Sequence, residues 1–223
     1  LRDLGTLGGL NSSVQGMNAS GQVVGDSDRA DGSSALFIWD AANGLREIPL
    51  TGVDSGSAYV SVINDAGVVA GVGRVSGEYV VWVWDAVNGT ALYANPVTGP
   101  FAVFASPSVR GVTAGRQAII TIGSPFDGFS AYVMDPVNGT QRLLLPGASA
   151  SGFGQVYVNR VNQAGQVVGS ANSATGESHA FLWDAAHGMQ DLGTLPGGNY
   201  SYAVGINDVG QVTGGAATAT GEQ

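Results

Sequence analysis

The chain has 223 residues, of which 36 are glycine and none cysteine, and carries a formal net charge of −9 with arginine in place of any lysine. These figures exclude disulfides, thiolate metal sites and cysteine nucleophiles, and so acidic a surface disfavours nucleic acid and anionic lipid as partners. No run approaches the ~20 apolar residues of a membrane helix and no signal peptide is visible, so membrane insertion is not expected of this segment.

Only 11% of residues are charged against 44% hydrophobic, and the apolar residues fall in short, regular, β-branched and aromatic runs. That regularity marks a folded, turn-rich chain. In chain order, the first runs with strand character are Ser13–Asn18, Gln22–Ser27, Ala35–Asp40 and Leu45–Leu50. Leu1–Leu7 reads as an outer strand that precedes them. The first two runs are joined by Asn18-Ala19-Ser20-Gly21, in which Asn caps a type I turn and Gly supplies the left-handed step into the next strand. The same turn returns as Asn64-Asp65-Ala66-Gly67, Asn162-Gln163-Ala164-Gly165 and Asn207-Asp208-Val209-Gly210. Each is followed by an apolar strand that ends in glycine: Gly25, Gly71, Gly169 and Gly214. Glycine there lets neighbouring backbones approach closely.

The third run ends in a carboxylate and a tight turn each time: Asp40, Asp85, Asp135 and Asp184 are 45, 50 and 49 residues apart. Because they recur at one structural place, each is read as accepting hydrogen bonds from its own turn, and not as catalytic. Trp39, Trp84 and Trp183, next to them, are read as core. Around Val112-Thr113-Ala114-Gly115 the asparagine is missing and prolines crowd the connections, so a degenerate third unit is expected. No stretch of useful length shows helical periodicity.

Four antiparallel strands repeated every 45 to 50 residues predict an all-β fold, a β-propeller of four-stranded blades. The whole chain, residues 1–223, reads as a single repeat domain. Its units run approximately 1–44, 45–89, 90–139, 140–188 and 189–223. Since Leu1-Arg2-Asp3-Leu4-Gly5-Thr6-Leu7-Gly8-Gly9 returns as Met189-Gln190-Asp191-Leu192-Gly193-Thr194-Leu195-Pro196-Gly197-Gly198, the expectation is about five repeats, four complete and one partial, cut from a longer chain.

His179-Ala180-Phe181-Leu182-Trp183-Asp184, with Gly188-Met189-Gln190-Asp191-Leu192-Gly193-Thr194-Leu195 and Asn207-Asp208-Val209-Gly210-Gln211-Val212, resembles the bacterial HAF extracellular repeat family. The resemblance runs over the whole chain and is weakest over residues 90–145. It implies a secreted or surface-attached bacterial β-propeller without an established catalytic activity. The His-Ala-Phe triplet degenerates to Ser34-Ala35-Leu36, Tyr79-Val80-Val81 and Ser130-Ala131-Tyr132, which argues against a ring of histidines on a metal.

Two sets of loops are expected to share one face and to carry any ligand. One joins the outer strand of a unit to the inner strand of the next (Gly8–Ser12, Thr51–Ser57, Thr98–Val103, Pro146–Gly154, Pro196–Ser201); the other joins the second and third strands. Candidate ligand-binding residues there are Asn11, Asp54, Tyr59, Asp127, Asn199, Tyr200 and Tyr202, because aromatic rings with hydrogen-bond acceptors suit sugar faces and hydroxyls; the alternative is ordinary surface. The run Asp26-Ser27-Asp28-Arg29-Ala30-Asp31-Gly32 gathers three carboxylates, Asp26, Asp28 and Asp31, in the hard-oxygen chemistry of Ca2+. A solvated acidic hairpin is the default reading, and no cofactor is otherwise implied. The expected function is an extracellular binding module whose partner is a glycan or a cell-surface or matrix protein. The alternatives are a polysaccharide hydrolase or lyase using Asp54, Glu78, Asp127 and Glu177, and a structural spacer.

Overall fold

The structure is a computed structural model that describes residues 2–97, 105–124, 128–148 and 155–219. Among them there is no helix. The strands are β1 (Gly8–Met17), β2 (Val23–Arg29), β3 (Ser34–Asp40), β4 (Gly44–Glu47), β5 (Tyr59–Ile63), β6 (Val69–Val75), β7 (Glu78–Asp85), β8 (Gly89–Ala94) and β9 (Pro107–Val112). The second half holds β10 (Ala118–Ser124), β11 (Gly128–Asp135), β12 (Gly139–Arg142), β13 (Val156–Val161), β14 (Val167–Asn172), β15 (Ser178–Asp184), β16 (Gly188–Gly193), β17 (Ser201–Ile206) and β18 (Val212–Ala216). They form four-stranded sheets β1–β4, β5–β8, β9–β12 and β13–β16, each in chain order, and a two-stranded sheet β17–β18. The all-β architecture of repeated antiparallel sheets therefore stands. The chain divides into two compact units, Leu1–Val103 with Pro107–Ala118, and Phe104–Ser106 with Ile119–Gln223.

Four of the sheets, β1–β4, β5–β8, β13–β16 and β17–β18, are organised by the glycine in their second strand; the sheet β9–β12 has Ile120 at that place. A Cβ on Gly25, Gly71, Gly169 or Gly214 would lie 1.9, 2.0, 1.8 or 2.0 Å from the carbonyl oxygen of Ser13, Tyr59, Tyr157 or Tyr202 on the first strand. Next to each contact the first strand slips register, between Val14 and Gly16, Val60 and Val62, Val158 and Arg160, and Ala203 and Gly205. A β-bulge brings its carbonyl inward at that point, and only a residue without a side chain can face it.

The turn asparagines do more than cap. Asn18 Oδ1 accepts from the Gln22 amide, as expected of a turn residue, while its Nδ2 donates to Asn64 O at 2.9 Å, 46 residues on. Asn64 Nδ2 donates in turn to Val112 O, and Asn162 Nδ2 to Asn207 O. Asp65 and Asp208 return the contact by accepting from the Ala19 and Gln163 amides. In the third repeat Thr113 takes the asparagine's place, with Oγ1 accepting from the Gln117 amide, and Arg116 adopts the turn's positive φ (65°). That repeat is complete at four strands.

Between neighbouring sheets, the third-strand aromatics of one pack on the preceding one. Trp82 and Trp84 meet Leu36, Ile38 and Ile48 in the first unit; Phe181 and Trp183 meet Val133, Leu143 and Leu145 in the second. Trp39 departs from the expectation of a core residue: it is half-buried, with the Arg2 guanidinium over its ring at 4.6 Å.

Three further expectations are corrected. Residues 2–6 form no strand and Leu7 makes only an isolated bridge to Arg29. What the Asp-Leu-Gly-Thr-Leu signature encodes is a turn: Asp3 Oδ1 accepts from the Gly5 amide, and Asp191 Oδ1 from the Gly193 amide. Gly8–Ser12, read as a connection, is the start of β1. The fourth strand, expected over Leu45–Leu50, is Gly44–Glu47, with Ile48 N adding one further bond to Leu36 O. The sheets end at Glu47, Ala94, Arg142 and Gly193.

The recurring aspartates cap their turns. Asp40, Asp85, Asp135 and Asp184 each accept from two amides, two and three residues on. Asp40 is held below the ordinary carboxylate range chiefly by the Asn43 side chain. At Asp85 burial pushes the other way, but the side chain and amide of Asn88, the Val87 amide and Arg116 outweigh it and the net shift is downward. Asp85 faces a partly buried cation: Arg116 Nη1 is 3.2 Å away, and its Nη2 donates to Val83 O and Gly89 O.

Two outcomes follow. Gly169→Ala should lose about 3 kcal/mol in chemical denaturation because backbone must move, whereas Gly188→Ala, at φ 72° with open space around it, should lose about 1 kcal/mol from the left-handed conformation alone; similar losses at both sites would refute the close-approach argument. Asp85→Asn should cost about 3 kcal/mol by stranding Arg116, well above Asp184→Asn. Depressed folded-state values mean the carboxylates stabilise above their unfolded pKa of about 4 and cease to as pH falls through the folded values. Stability measured against pH below about 4 should thus decline less steeply in Asp85→Asn than in the native chain.

Candidate functional site

A cleft of about 210 Å³ lies at the loop end of the first two sheets. Its polar wall begins at Arg29, the last residue of β2. Arg29 N donates to Ser33 O and Gly32 N to Arg29 O, closing a tight turn, and Asp31 Oδ1 locks that turn by accepting from Ser33 N and Oγ. The turn aims the guanidinium across β3 at the end of β4. There Nε and Nη2 donate to the two carboxylate oxygens of Glu47 at 3.0 and 2.6 Å, and Nη1 donates to Ser33 Oγ and Ser34 O. The bidentate fork holds Glu47 below its ordinary value, through its hydrogen bonds to Arg29. Both side chains stay about a third exposed or more, at 35% and 41%, so the pair faces solvent at the mouth.

The floor is apolar, from Leu36, Ile48, Leu50, Val53 and Ala58, and the far wall is the loop Asp54-Ser55-Gly56. That loop is fixed by Asp54. Its amide donates to Arg74 O, while Oδ1 and Oδ2 accept from the amides of Ser76 and Gly77. Ser57 Oγ ties the same loops by accepting from Arg74 N. The expectation that outer-to-inner and second-to-third loops share an end is met here. Asp54 thus lines the cleft but spends both oxygens on structure.

The other described candidate residues do not line it. Asn11 lies on β1 with Nδ2 donating to Asp28 Oδ2, and Gln15 donates likewise to Asp26. Asp26 and Asp28 lie on β2 and Asp31 in the turn beyond it. Each of the three therefore serves a neighbour of its own. No group of three or more His, Asp or Glu side chains among the described residues is placed to hold a metal ion. Tyr59 is exposed at the start of β5. Asn199 is exposed and Tyr200 half-buried in the loop before β17, and Tyr202 lies on β17 beside a separate groove in the second unit. Asp127 lies outside the described residues. Of the remaining carboxylates weighed for catalysis, Glu78 opens β7, and Glu177 accepts from Thr175 and lies 3.8 Å from His179.

Arg29 and Glu47 were missed by sequence reasoning. The one available signal was a lone arginine inside an acidic run, which points to a carboxylate partner of its own. His179 proves to be a local pairing residue as well: its Nδ1 meets Asp191 at 2.9 Å. The same two register positions hold Ser130 and Arg142 in the third repeat, where Arg142 Nη2 donates to Ser130 Oγ.

No family model matches the chain, and no curated protein matches it. Among solved structures it is similar to virginiamycin B lyase from Staphylococcus aureus at 11% identity and a TM-score of 0.43, over 91% of this chain and 68% of that one. It is also similar to TolB from Acinetobacter baumannii, at 15% identity and a TM-score of 0.45, over 82% of this chain and 45% of that one. A third is dipeptidyl peptidase 4 from Porphyromonas gingivalis, at 13% identity and a TM-score of 0.46, over 77% and 29%.

Proposed function

We propose that this protein is a non-enzymatic, extracellular bacterial binding module, built as a β-propeller of four complete blades and a partial fifth, and that the Arg29–Glu47 cleft takes a neutral saccharide. The supporting observation is the combination in one cleft of an exposed bidentate ion pair with an apolar floor. A pyranose presents the same two chemistries, a face of C–H groups and a rim of hydroxyls. The C–H face covers half-buried Leu50, Val53 and Ala58. Vicinal hydroxyls donate to Glu47 and accept from Arg29, strengthened by the charge on each. The pair is already oriented by Ser33 and Ser34, so little side-chain freedom is lost on binding. A net charge of −9 favours a neutral sugar over an anionic one.

A glycan array followed by titration calorimetry tests the reading. Because exposed ion pairs contribute little to folding, Arg29→Ala and Glu47→Gln should leave the unfolding midpoint nearly unchanged. Each should weaken glycan binding at least about tenfold by removing charge-assisted hydrogen bonds. Glycan binding untouched by both variants, or a folded protein that binds no neutral glycan, overturns the assignment.

A further inference from the structure

The register of the first sheet puts a cation where none of the other four-stranded sheets has one. Ile38 on β3 lies opposite Val24 on β2 and Arg46 on β4, so these three side chains stand on one face. That face meets the second sheet, because Val24 and Ile38 share a buried cluster with Val69, Trp82 and Trp84. The residue at the place of Arg46 is Ala91 in the second sheet, Gln141 in the third and Gln190 in the fourth.

Arg46 lines a second cavity between the first two sheets, of about 280 Å³, at the end away from the Arg29–Glu47 cleft. Gln22 and Ile38 share its wall, and Ala66, Trp84 and Val87 come from the second repeat. The polar groups here are donors left open and acceptors already taken. Arg46 Nη2 donates to Asp40 Oδ2 at 2.5 Å, while Nε and Nη1 meet no partner among the described residues and the side chain is 46% exposed. Gln22 Oε1 accepts from Asn18 Nδ2, and its own Nε2 meets no partner among the described residues. The carboxylate in the lining, Asp85, is saturated: Oδ1 accepts from the amides of Val87 and Asn88, Oδ2 accepts from Asn88 Nδ2 and lies 3.2 Å from Arg116 Nη1. In the cleft at the other end, by contrast, Glu47 fills the Arg29 guanidinium.

We propose that this second cavity binds a small monocarboxylate with an apolar body. A carboxylate only accepts hydrogen bonds, and the cavity offers Arg46 Nε and Nη1 with Gln22 Nε2 as donors. The body covers the apolar rim, where Ala66, Ala86 and Val87 are exposed, Val87 at 91%, beside the accessible edge of Trp84. An ionised head is preferred to a neutral carbonyl because charge-assisted bonds are about twice as strong as neutral ones. The net charge of −9 opposes any anion at a distance, but salt screens that field beyond about 8 Å at physiological strength. The guanidinium acts in contact, so the local pairing decides.

Titration of the intact chain with hexanoate, followed by heteronuclear NMR, tests this. One-to-one saturation is expected, with shifts at the Gln22 side-chain amide, Arg46 Nε–H and the backbone of Ala66–Val68 and Ala86–Asn88. Hexanamide keeps the body and loses the charge, and should bind at least about tenfold more weakly. Hexanoate should bind Arg46→Ala at least about tenfold more weakly too. That variant should keep its unfolding midpoint, since the Arg46–Asp40 pair is exposed and Asp40 retains its turn amides. The comparison of acid with amide leaves the protein unaltered, so it decides the matter whatever the variant does. Absence of saturation, equal affinity for hexanoate and hexanamide, undiminished binding to folded Arg46→Ala, or shifts confined to the Arg29–Glu47 cleft would each overturn the proposal.

Discussion

The fold rests on one steric constraint, the approach of a first-strand carbonyl to a second-strand glycine at a distance no Cβ could survive. The four sites at Gly25, Gly71, Gly169 and Gly214 agree to within 0.2 Å in that would-be contact. The bulge that delivers the carbonyl gives the first strand its extra twist, and twist sets how the next sheet is inclined. Many of the other glycines supply turns at a positive φ with open space around a would-be Cβ, such as Gly44, Gly89 and Gly188. These four fix the geometry of the strand pair itself, and that is why the third strand can place an aromatic ring directly over the second.

From this the stacking of repeats follows. A third-strand ring laid over glycine projects toward the preceding sheet, so Trp82 and Phe181 become the largest fully buried side chains of their clusters. The turn asparagine works at the same joint by a different force. Its Oδ1 serves its own turn and its Nδ2 reaches the next repeat, so a single amide group couples local turn formation to repeat docking. Hydrophobic contact alone would let adjacent sheets slide; buried amide-to-carbonyl bonds such as Asn64 to Val112 O fix their offset, because a slipped register would leave the group unsatisfied.

The strands were legible because turn chemistry is local. Asn-x-x-Gly, Asp-x-x-Asn-Gly and the second-strand glycine each act within a few residues, and all were placed correctly. What escaped were features that depend on a partner distant in sequence. Residues 2–7 carry the sequence of a fourth strand but adopt only its Asp-x-Gly turn. Trp39 looks like Trp84 and Trp183 in its own sequence, yet it is half-buried under Arg2 because its burial depends on a sheet beside it. Thr113 and Arg116 show the converse. They break the asparagine–glycine pattern yet preserve the turn, since a threonine hydroxyl can accept the same amide and the partly buried Asp85–Arg116 contact stabilises a residue at φ 65°.

The cleft residues were hidden for a related reason. Glu47 and Arg29 are 18 residues apart and meet because the β2, β3 and β4 ladders bring the end of the second strand alongside that of the fourth. The corner where they meet recurs in every complete repeat, and its occupants are free to differ because neither the glycine contact nor the aromatic stack reaches it. In the third repeat it holds Ser130 and Arg142; in the fourth, His179 and Asp191; in the first, Glu47 with an arginine borrowed from the second strand. A repeat protein can vary its recognition chemistry only where its packing rules are silent. The histidine of the His-Ala-Phe triplet occupies such a place, so its loss in three repeats marks a change of surface chemistry and leaves the repeat intact.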